Sequence, residues 1–245
     1  MIMKTKSLFV VVFLLVLILC GQINTFAWEH EEWIEPISLE RQQKIRDHLE
    51  LKRFSSKPAD YTFTAFDVNK NGFIAIGSWH TEPVTISVYR SDGSFEYGYH
   101  FETSSAFELK WNGENLMICL VRGNIVVELS PLGEIVRIFE LEDTGESYNY
   151  WRKVIQSSKK TVGNRTFIAQ NDLGWLNAIT SSDSQVVVID EYGETDIIYD
   201  VTSLQLASTI LGLIFFLGML TAFVGVGVHY IKIIVRSIKR NPTNQ

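Results

Sequence analysis

Cysteine is scarce in this chain of 245 residues, which contains only two. Cys20 lies in an apolar stretch near the N-terminus, and Cys119 lies alone in another apolar stretch. The central segment therefore has no second cysteine for an internal disulfide and no cysteine cluster that could hold zinc. Its stability must come from packing, for which a segment of about 175 residues is long enough.

Acidic residues are missing from both ends of the chain. All 28 lie between Glu29 and Asp200, where 16 of the 22 basic residues also lie, so residues 28–203 carry a net charge of −12. Two lysines precede this segment and four basic residues follow it. A water-soluble globular protein has no reason to sort its charges in this way, whereas a membrane protein does.

Charge is absent from Leu206 to Val228, a run rich in Leu, Ile, Phe and Val. The run exceeds the roughly 20 residues that a helix needs to cross the ~30 Å hydrocarbon core of a bilayer. Because basic residues follow it and acidic residues precede it, we expect the C-terminus on the cytoplasmic side. The sequence predicts a transmembrane helix over 204–231 and a basic cytoplasmic tail over 232–245.

The N-terminal residues are typical of a secretory signal. Two lysines precede the apolar run Leu8–Cys20, which is short for a span, and a small-residue cleavage pattern ends at Ala27. We expect a signal peptide over 1–27, with an uncleaved anchor as the alternative. In both cases residues 28–203 face the outside of the cell membrane.

Two patterns divide the outward segment. Residues 28–60 form an acidic segment followed by a short helix, which Ser38 caps and which extends to Arg53. Residues 61–203 consist of short β-prone runs separated by turn residues, with paired turn glycines 72/93, 113/133 and 163/193. The predicted strands of the third unit include Val154–Gln156 and Ala178–Thr180.

The three β units recur at about forty residues with about four strands each, which is the signature of a β-propeller blade. The first unit carries Asp67, Asn71-Gly72-Phe73-Ile74 and Val88-Tyr89-Arg90-Ser91-Asp92-Gly93, and the third carries Val187-Val188-Ile189-Asp190 before Gly193. In these residues the chain resembles NHL-type propeller repeats over about 61–200. The resemblance implies a non-catalytic binding platform.

Three units are fewer than the four blades of the smallest propellers. The fold class that we expect is therefore an all-β repeat domain, a partial or distorted β-propeller, with a short N-terminal helix and one C-terminal transmembrane helix. Two alternatives remain open: a fourth sheet near Tyr148–Gln170, or completion of the ring by self-association.

One stretch of the first unit resembles half of a calcium loop. Asp67, Asn69 and Asn71 precede Gly72 at calcium-loop spacing, but Ser78 stands where a bidentate Glu is needed. The same residues suit a hairpin turn. We therefore expect a turn here and no metal. The sequence has no nucleophile elbow, phosphate loop, zinc-ligand cluster or Gly-rich cofactor fingerprint, so we expect no cofactor and no catalytic residues.

Aromatic side chains in predicted loops are the candidate ligand-binding residues. They are Trp79, His80, Tyr148, Tyr150 and Trp151. Loops on rigid β scaffolds carry function, and exposed Tyr and Trp are favoured in recognition. The alternative is that these side chains pack between blades.

The transmembrane segment contains small residues at helical spacing. Gly218, Ala222 and Gly225 are candidate helix-pairing residues, because small side chains let two helices approach closely.

The sequence therefore predicts a single-pass surface protein with a propeller-like domain that binds a protein or envelope ligand. The alternative is a structural or accessory subunit of a membrane complex, assembled through the transmembrane helix. The charge of −12 counts against nucleic acid as a partner.

Overall fold

A computed structural model describes residues 33–240, so the predicted signal peptide lies outside the described residues. Three antiparallel sheets contain all fourteen strands of this part of the chain. The strands are β1 (Ile34–Glu35), β2 (Lys52–Phe54), β3 (Ala65–Val68), β4 (Ile74–Ser78), β5 (Val84–Tyr89), β6 (Phe95–Phe101), β7 (Phe107–Asn112), β8 (Asn115–Leu120), β9 (Ile125–Leu129), β10 (Ile135–Leu141), β11 (Lys159–Val162), β12 (Arg165–Gln170), β13 (Gln185–Ile189) and β14 (Thr195–Asp200).

Helical segments connect or flank the sheets. They are α1 (Leu39–Leu49), α2 (Gly145–Tyr150), a π-helix (Trp151–Ile155), a 3₁₀ helix (Gly174–Ile179) and α3 (Thr202–Arg240).

Each sheet is built on four consecutive strands joined by hairpins. The first sheet has the order β2-β6-β5-β4-β3, the second β1-β10-β9-β8-β7, and the third β11-β12-β13-β14. The predicted β-rich class is therefore confirmed, in the form of three antiparallel sheets. The short strands β1 and β2 come from the N-terminal segment and pair with the outermost strand of a unit.

Local structure differs from the prediction in the N-terminal helix. Ser38 caps α1 as expected, its hydroxyl accepting a hydrogen bond from the backbone N–H of Arg41 at 3.3 Å. The helix ends at Leu49 instead of Arg53, because Glu50 adopts a left-handed conformation. The chain then pairs Lys52–Phe54 with β6, and this pairing takes over the residues predicted to be helical.

Two strands predicted in the third unit are helical. Val154 and Ile155 belong to the π-helix, and Ala178 and Ile179 to the 3₁₀ helix. No fourth sheet forms within residues 33–240, since Tyr148–Gln170 supplies helical turns and then β11 and β12 of the third sheet.

The first sheet is the middle layer of the domain. One hydrophobic cluster joins it to the second sheet and contains Ile86, Tyr99, Phe101, Phe107 and Leu109. Another joins it to the third sheet and contains Phe63, Phe66, Phe167, Val188 and Tyr199. Because both faces are covered, β3, β4 and β5 are buried along their whole length.

The other face of the second sheet is covered by the α2 and π-helix segment. Met117, Cys119 and Phe139 pack there against Ile155, with Trp151 alongside. Cys119 is thus a buried hydrophobic residue, and burial raises the pKa of its thiol well above the ordinary range.

The three units are aligned, so that equivalent turns share one end of the domain. The turns after β3, β7 and β11 define what we call the distal end, where the backbone N–H of Trp111 donates to Asp67 across two units. The turns after β4, β8 and β12 define the helix end, where Phe63 and Asp183 pair across two units. Strand β14 finishes at the helix end and leads directly into α3.

Helix α3 is packed on the domain only in its first turn. Gln205 is buried, and its Nε2 donates to the carbonyl oxygen of Ser182 at 2.6 Å. From Leu206 onward, nearly every side chain with a described environment is exposed. The stretch Thr202–Ile233 is long and apolar enough to cross a membrane. The helix continues to Arg240, so part of the predicted tail is helical.

Gly98 in β6 leaves the space that the Phe54 ring of β2 occupies, so a substitution of Gly98 tests how β2 packs on the first sheet. A Cβ at this position would contact the Phe54 ring and lie 2.5 Å from the carbonyl oxygen of Ile86. We expect Gly98→Ala to lower the free energy of unfolding by about 1–3 kcal/mol, because backbone atoms must shift to make room for the added methyl group. Gly145→Ala is the matched control, since nothing lies within 4 Å of its Cβ. Equal urea midpoints for the two variants would contradict this packing.

Candidate functional site

A cavity of about 510 Å³ lies where β3, β7 and β11, the first strands of the three units, approach one another. It reaches the distal turns through Lys70, Gly113 and Gly163. The π-helix segment crosses the space between β7 and β11 and supplies Lys153 to the wall. This cavity is the place where all three units contribute residues to one site.

The cavity is strongly cationic within an acidic domain. Its five lysines are Lys70, Lys110, Lys153, Lys159 and Lys160, and its single carboxylate is Asp67. Residues 28–203 contain 16 basic and 28 acidic residues, so nearly a third of their basic side chains converge here. The local charge is therefore opposite in sign to the charge of the domain.

Asp67 is the buried centre of the site, with an exposed fraction of 2%. Its Oδ2 accepts a hydrogen bond from the backbone N–H of Trp111 at 2.7 Å, and its Oδ1 lies 3.3 Å from Nζ of Lys160. The indole Nε1 of Trp111 donates to the Asp67 carbonyl oxygen at 3.3 Å. One residue of the first unit is thus bound to both other units.

Lys160 is held by the fold and is not free to meet a ligand. Its Nζ donates to the carbonyl oxygens of Val154 at 2.7 Å and Ile155 at 3.0 Å, in addition to its ion pair with Asp67. An ammonium group has three donors, and these partners use all of them. Burial lowers the pKa of Lys160, and the Asp67 charge opposes this effect.

The lysines at the mouth differ from Lys160. Lys70, Lys153 and Lys159 are exposed, and none of them makes an ion pair within residues 33–240. Lys110 is half-buried, with its Nζ 4.0 Å from Oδ2 of Asp67. The mouth therefore presents ammonium groups whose charge is not cancelled locally.

Glu108 lies two residues before Lys110 on the same face of β7. Gln156, which follows the π-helix, donates from Nε2 to Oε1 of Glu108 at 3.3 Å. Burial raises the pKa of Glu108 to about 7, although Gln156 and Lys160 act in the opposite direction. A carboxyl group that titrates near neutral pH thus stands beside the cationic cavity.

The residues with calcium-loop spacing form a hairpin turn. Oδ1 of Asn69 accepts from the backbone N–H groups of Asn71 and Phe73, both at 2.9 Å. Nδ2 of Asn71 donates to Oε1 of Glu114 at 2.7 Å. Gly72 has φ +82°, which glycine adopts without strain.

The five aromatic candidates lie outside the cationic cavity. Trp79 and His80 occupy the exposed β4–β5 turn at the helix end, with ring centroids 3.9 Å apart. Tyr148 is exposed on α2, whereas Tyr150 and Trp151 pack against the cluster on the second sheet. Their role in ligand binding stays a prediction.

Within the described part of the chain, no other element packs against the helix-pairing candidates. Gly218, Ala222 and Gly225 are exposed along α3, and the Thr221 hydroxyl donates to the Gly218 carbonyl oxygen at 2.8 Å. Their role in pairing also stays a prediction.

The cationic cavity could not be predicted from the sequence, because its lining residues are spread from Asp67 to Gly163. One signal was present: Lys70, Lys110 and Lys160 each stand two or three residues before the turn glycine of their unit. Three equivalent turns meet at one end of aligned units, so lysines beside them converge.

No family model matches this chain. No curated protein matches it either. Within residues 33–240 no group of three or more His, Cys, Asp or Glu side chains could hold a metal ion.

The pKa of Glu108 predicts a pH dependence of stability. The folded domain binds this proton more tightly than the unfolded chain, whose glutamate titrates near 4.5, so its contribution is full below pH 4.5 and is lost as pH rises through 7. Urea unfolding of the full chain in detergent, followed by tryptophan fluorescence, measures it. We expect the free energy of unfolding of the native chain to fall relative to that of Glu108→Gln as pH rises from 4.5 through 7. If the free energies of unfolding of the two chains plotted against pH run parallel, Glu108 does not have a raised pKa.

Proposed function

We propose that this chain is a single-pass membrane protein whose three-sheet domain is a non-catalytic binding module that takes an anionic group of its ligand into the cationic cavity. The observation that carries this proposal is the convergence of five lysines from three units on one cavity at the distal end. Ammonium groups bind phosphate, sulfate or carboxylate as point charges.

The membrane anchor of the proposal is α3. Acidic residues precede its apolar stretch and basic residues follow it, which favours a domain outside the cell membrane and a cytoplasmic C-terminus. A cleaved signal over 1–27 and an uncleaved anchor lead to the same placement of the domain. The apolar helix supports the anchor, and the charges support its orientation.

The position of the cavity fits display at a surface. Strand β14 enters α3 at the helix end, whereas the cavity lies toward the distal turns. The strands span about 20 Å between these ends, at roughly 3.3 Å per residue. A ligand arriving from outside therefore reaches the cavity without meeting the bilayer.

A binding role fits the site better than catalysis does. Asp67 and Lys160 are engaged with each other and with backbone groups, so neither is available as an acid or a base. The resemblance to NHL-type repeats, which implies a binding platform, supports the same reading.

The charge of the domain limits the kind of anion. Outside the cavity the surface is acidic and repels an extended polyanion such as nucleic acid. A single anionic group on a protein or an envelope component enters the cavity without facing that surface. We therefore propose a ligand with one phosphate-like or carboxylate-like end.

Self-association remains part of the proposal through the third sheet. Ile168, Val187 and Ile197 form one cross-strand row on the face turned away from the first sheet, and Ile197 is exposed. A neighbouring blade would cover this face in a closed propeller. A second copy of the chain can cover it instead.

The second candidate function is an accessory subunit of a membrane complex. The observation that favours it is the exposed face of α3 with Gly218, Ala222 and Gly225, where another helix can pack closely. Crosslinking in intact cells separates the candidates: partners retained by Gly218→Leu support the binding module, and partners lost support the subunit.

Pyrophosphate is a suitable probe for the cavity. The full chain in detergent is titrated by calorimetry, and we expect the double variant Lys153→Ala, Lys159→Ala to bind at least about tenfold more weakly, which corresponds to about 1.4 kcal/mol. These lysines are exposed, so folding should be unaffected.

The matched control is Lys52→Ala, Lys57→Ala, which removes two exposed lysines that do not line the cavity. It should leave the affinity within a factor of about two, because exposed charges at a distance are screened by salt. Equal weakening by both double variants, or no binding by the native chain, would contradict the proposal.

A further inference from the structure

The loop between β12 and β13 exposes large apolar side chains that no packing requires. Within its 3₁₀ helix Trp175 is 79% exposed and Ile179 is 53% exposed, whereas Leu176 between them is buried. Ile179 belongs to the stretch Ala178–Thr180, which was predicted to be a strand, and its helical conformation leaves its side chain at the surface. Trp175 is one of the most exposed aromatic side chains among the described residues of the β domain.

Side-chain hydrogen bonds fix the shape of this loop. Nδ2 of Asn177 donates to the Asn171 carbonyl oxygen at 3.1 Å, and Oδ1 of Asn177 accepts from the Leu173 backbone N–H at 2.9 Å. Nδ2 of Asn171 in turn donates to the Thr180 hydroxyl at 3.1 Å. The exposed residues are therefore presented by an ordered loop.

The loop is attached to the start of α3. Its C-terminal part contributes the Ser182 carbonyl oxygen, which accepts from Gln205 at 2.6 Å, and the Ser184 carbonyl oxygen, which accepts from the Val201 backbone N–H at 2.9 Å. Its two flanking residues, Gln170 and Gln185, pair with each other at the helix end of the third sheet. The loop tip thus extends beyond the sheet at the end from which α3 leaves.

The position of the loop coincides with a change in polarity along α3. Gln205, which binds the loop, is the last buried polar residue before the uncharged run that starts at Leu206. The level of Gln205 is therefore the level at which a spanning helix enters the headgroup region. Tryptophan is enriched at this level, because its apolar ring and its N–H group suit a boundary between hydrocarbon and water.

We infer that the β12–β13 loop is a lipid-docking loop, which places Trp175 and Ile179 in the interface of the bilayer beside α3. This inference rests on the membrane anchor of the proposed function. Two attachments, the helix and the loop, restrict tilting of the domain about the β14–α3 junction. The third sheet then stands on the membrane and holds the cationic cavity roughly 20 Å above it.

Quenching by brominated lipid tests this docking. The full chain is reconstituted into phosphatidylcholine vesicles whose acyl chains carry bromine near the headgroup end, and tryptophan fluorescence is compared with that in unbrominated vesicles. We expect Trp175→Phe to abolish the larger part of the quenching seen for the native chain. Trp79→Phe reports how much Trp79, which is also exposed at the helix end, contributes to the quenching.

The matched control moves the indole to the opposite end of the same sheet. Tyr192 lies in the β13–β14 turn at the distal end and is 83% exposed. In the Trp175→Phe background, Tyr192→Trp should add fluorescence that brominated lipid does not quench.

Flotation of the same vesicles separates docking of the loop from anchoring by α3. A chain that floats with lipid but whose quenching is unchanged by Trp175→Phe, or whose Tyr192→Trp indole is quenched equally, overturns the docking loop and leaves the anchor intact. A chain that does not float overturns the anchor itself, and the docking loop with it.

Discussion

One buried carboxylate holds the three units of this domain together. Asp67 belongs to the first unit, accepts the Trp111 backbone N–H of the second, and forms an ion pair with Lys160 of the third. Lys160 in turn binds the last carbonyl oxygens of the π-helix segment. A buried charge without partners strongly destabilises a fold. The three units therefore pack in the arrangement that gives Asp67 and Lys160 all of these partners.

This constraint also creates the site. Units that align around Asp67 bring their first hairpin turns to one end, and the lysines beside those turns then surround one cavity. The same alignment brings the β12–β13 loop and the start of α3 to the opposite end. The two ends of the domain therefore differ in chemistry. The distal end presents cations, and the helix end presents apolar side chains next to the apolar helix.

The parts of the fold that depend on local chemistry could be predicted from the sequence. Turn glycines such as Gly72 and Gly163 mark hairpins because only they adopt a positive φ freely, and the uncharged run marks α3. Lys52–Phe54 could not be predicted as a strand, because pairing with β6 decides it. Val154 could not be predicted to be helical either, because its carbonyl oxygen binds Lys160 of β11, a contact that depends on the tertiary fold. Taken one at a time in the sequence, the cavity lysines look like ordinary solvent-exposed charges. They form a site only because the folded units bring them together.

A double-mutant cycle between Asp67 and Lys160 measures how strongly their ion pair holds the three units together. Urea unfolding of the full chain in detergent is measured for Asp67→Ala, Lys160→Met and the double variant. We expect Asp67→Ala to lower the free energy of unfolding by about 3–5 kcal/mol, because it leaves a buried ammonium without its carboxylate partner. The double variant should lose clearly less than the sum of the two single changes. Small and additive effects would show that the three units are held together without this ion pair.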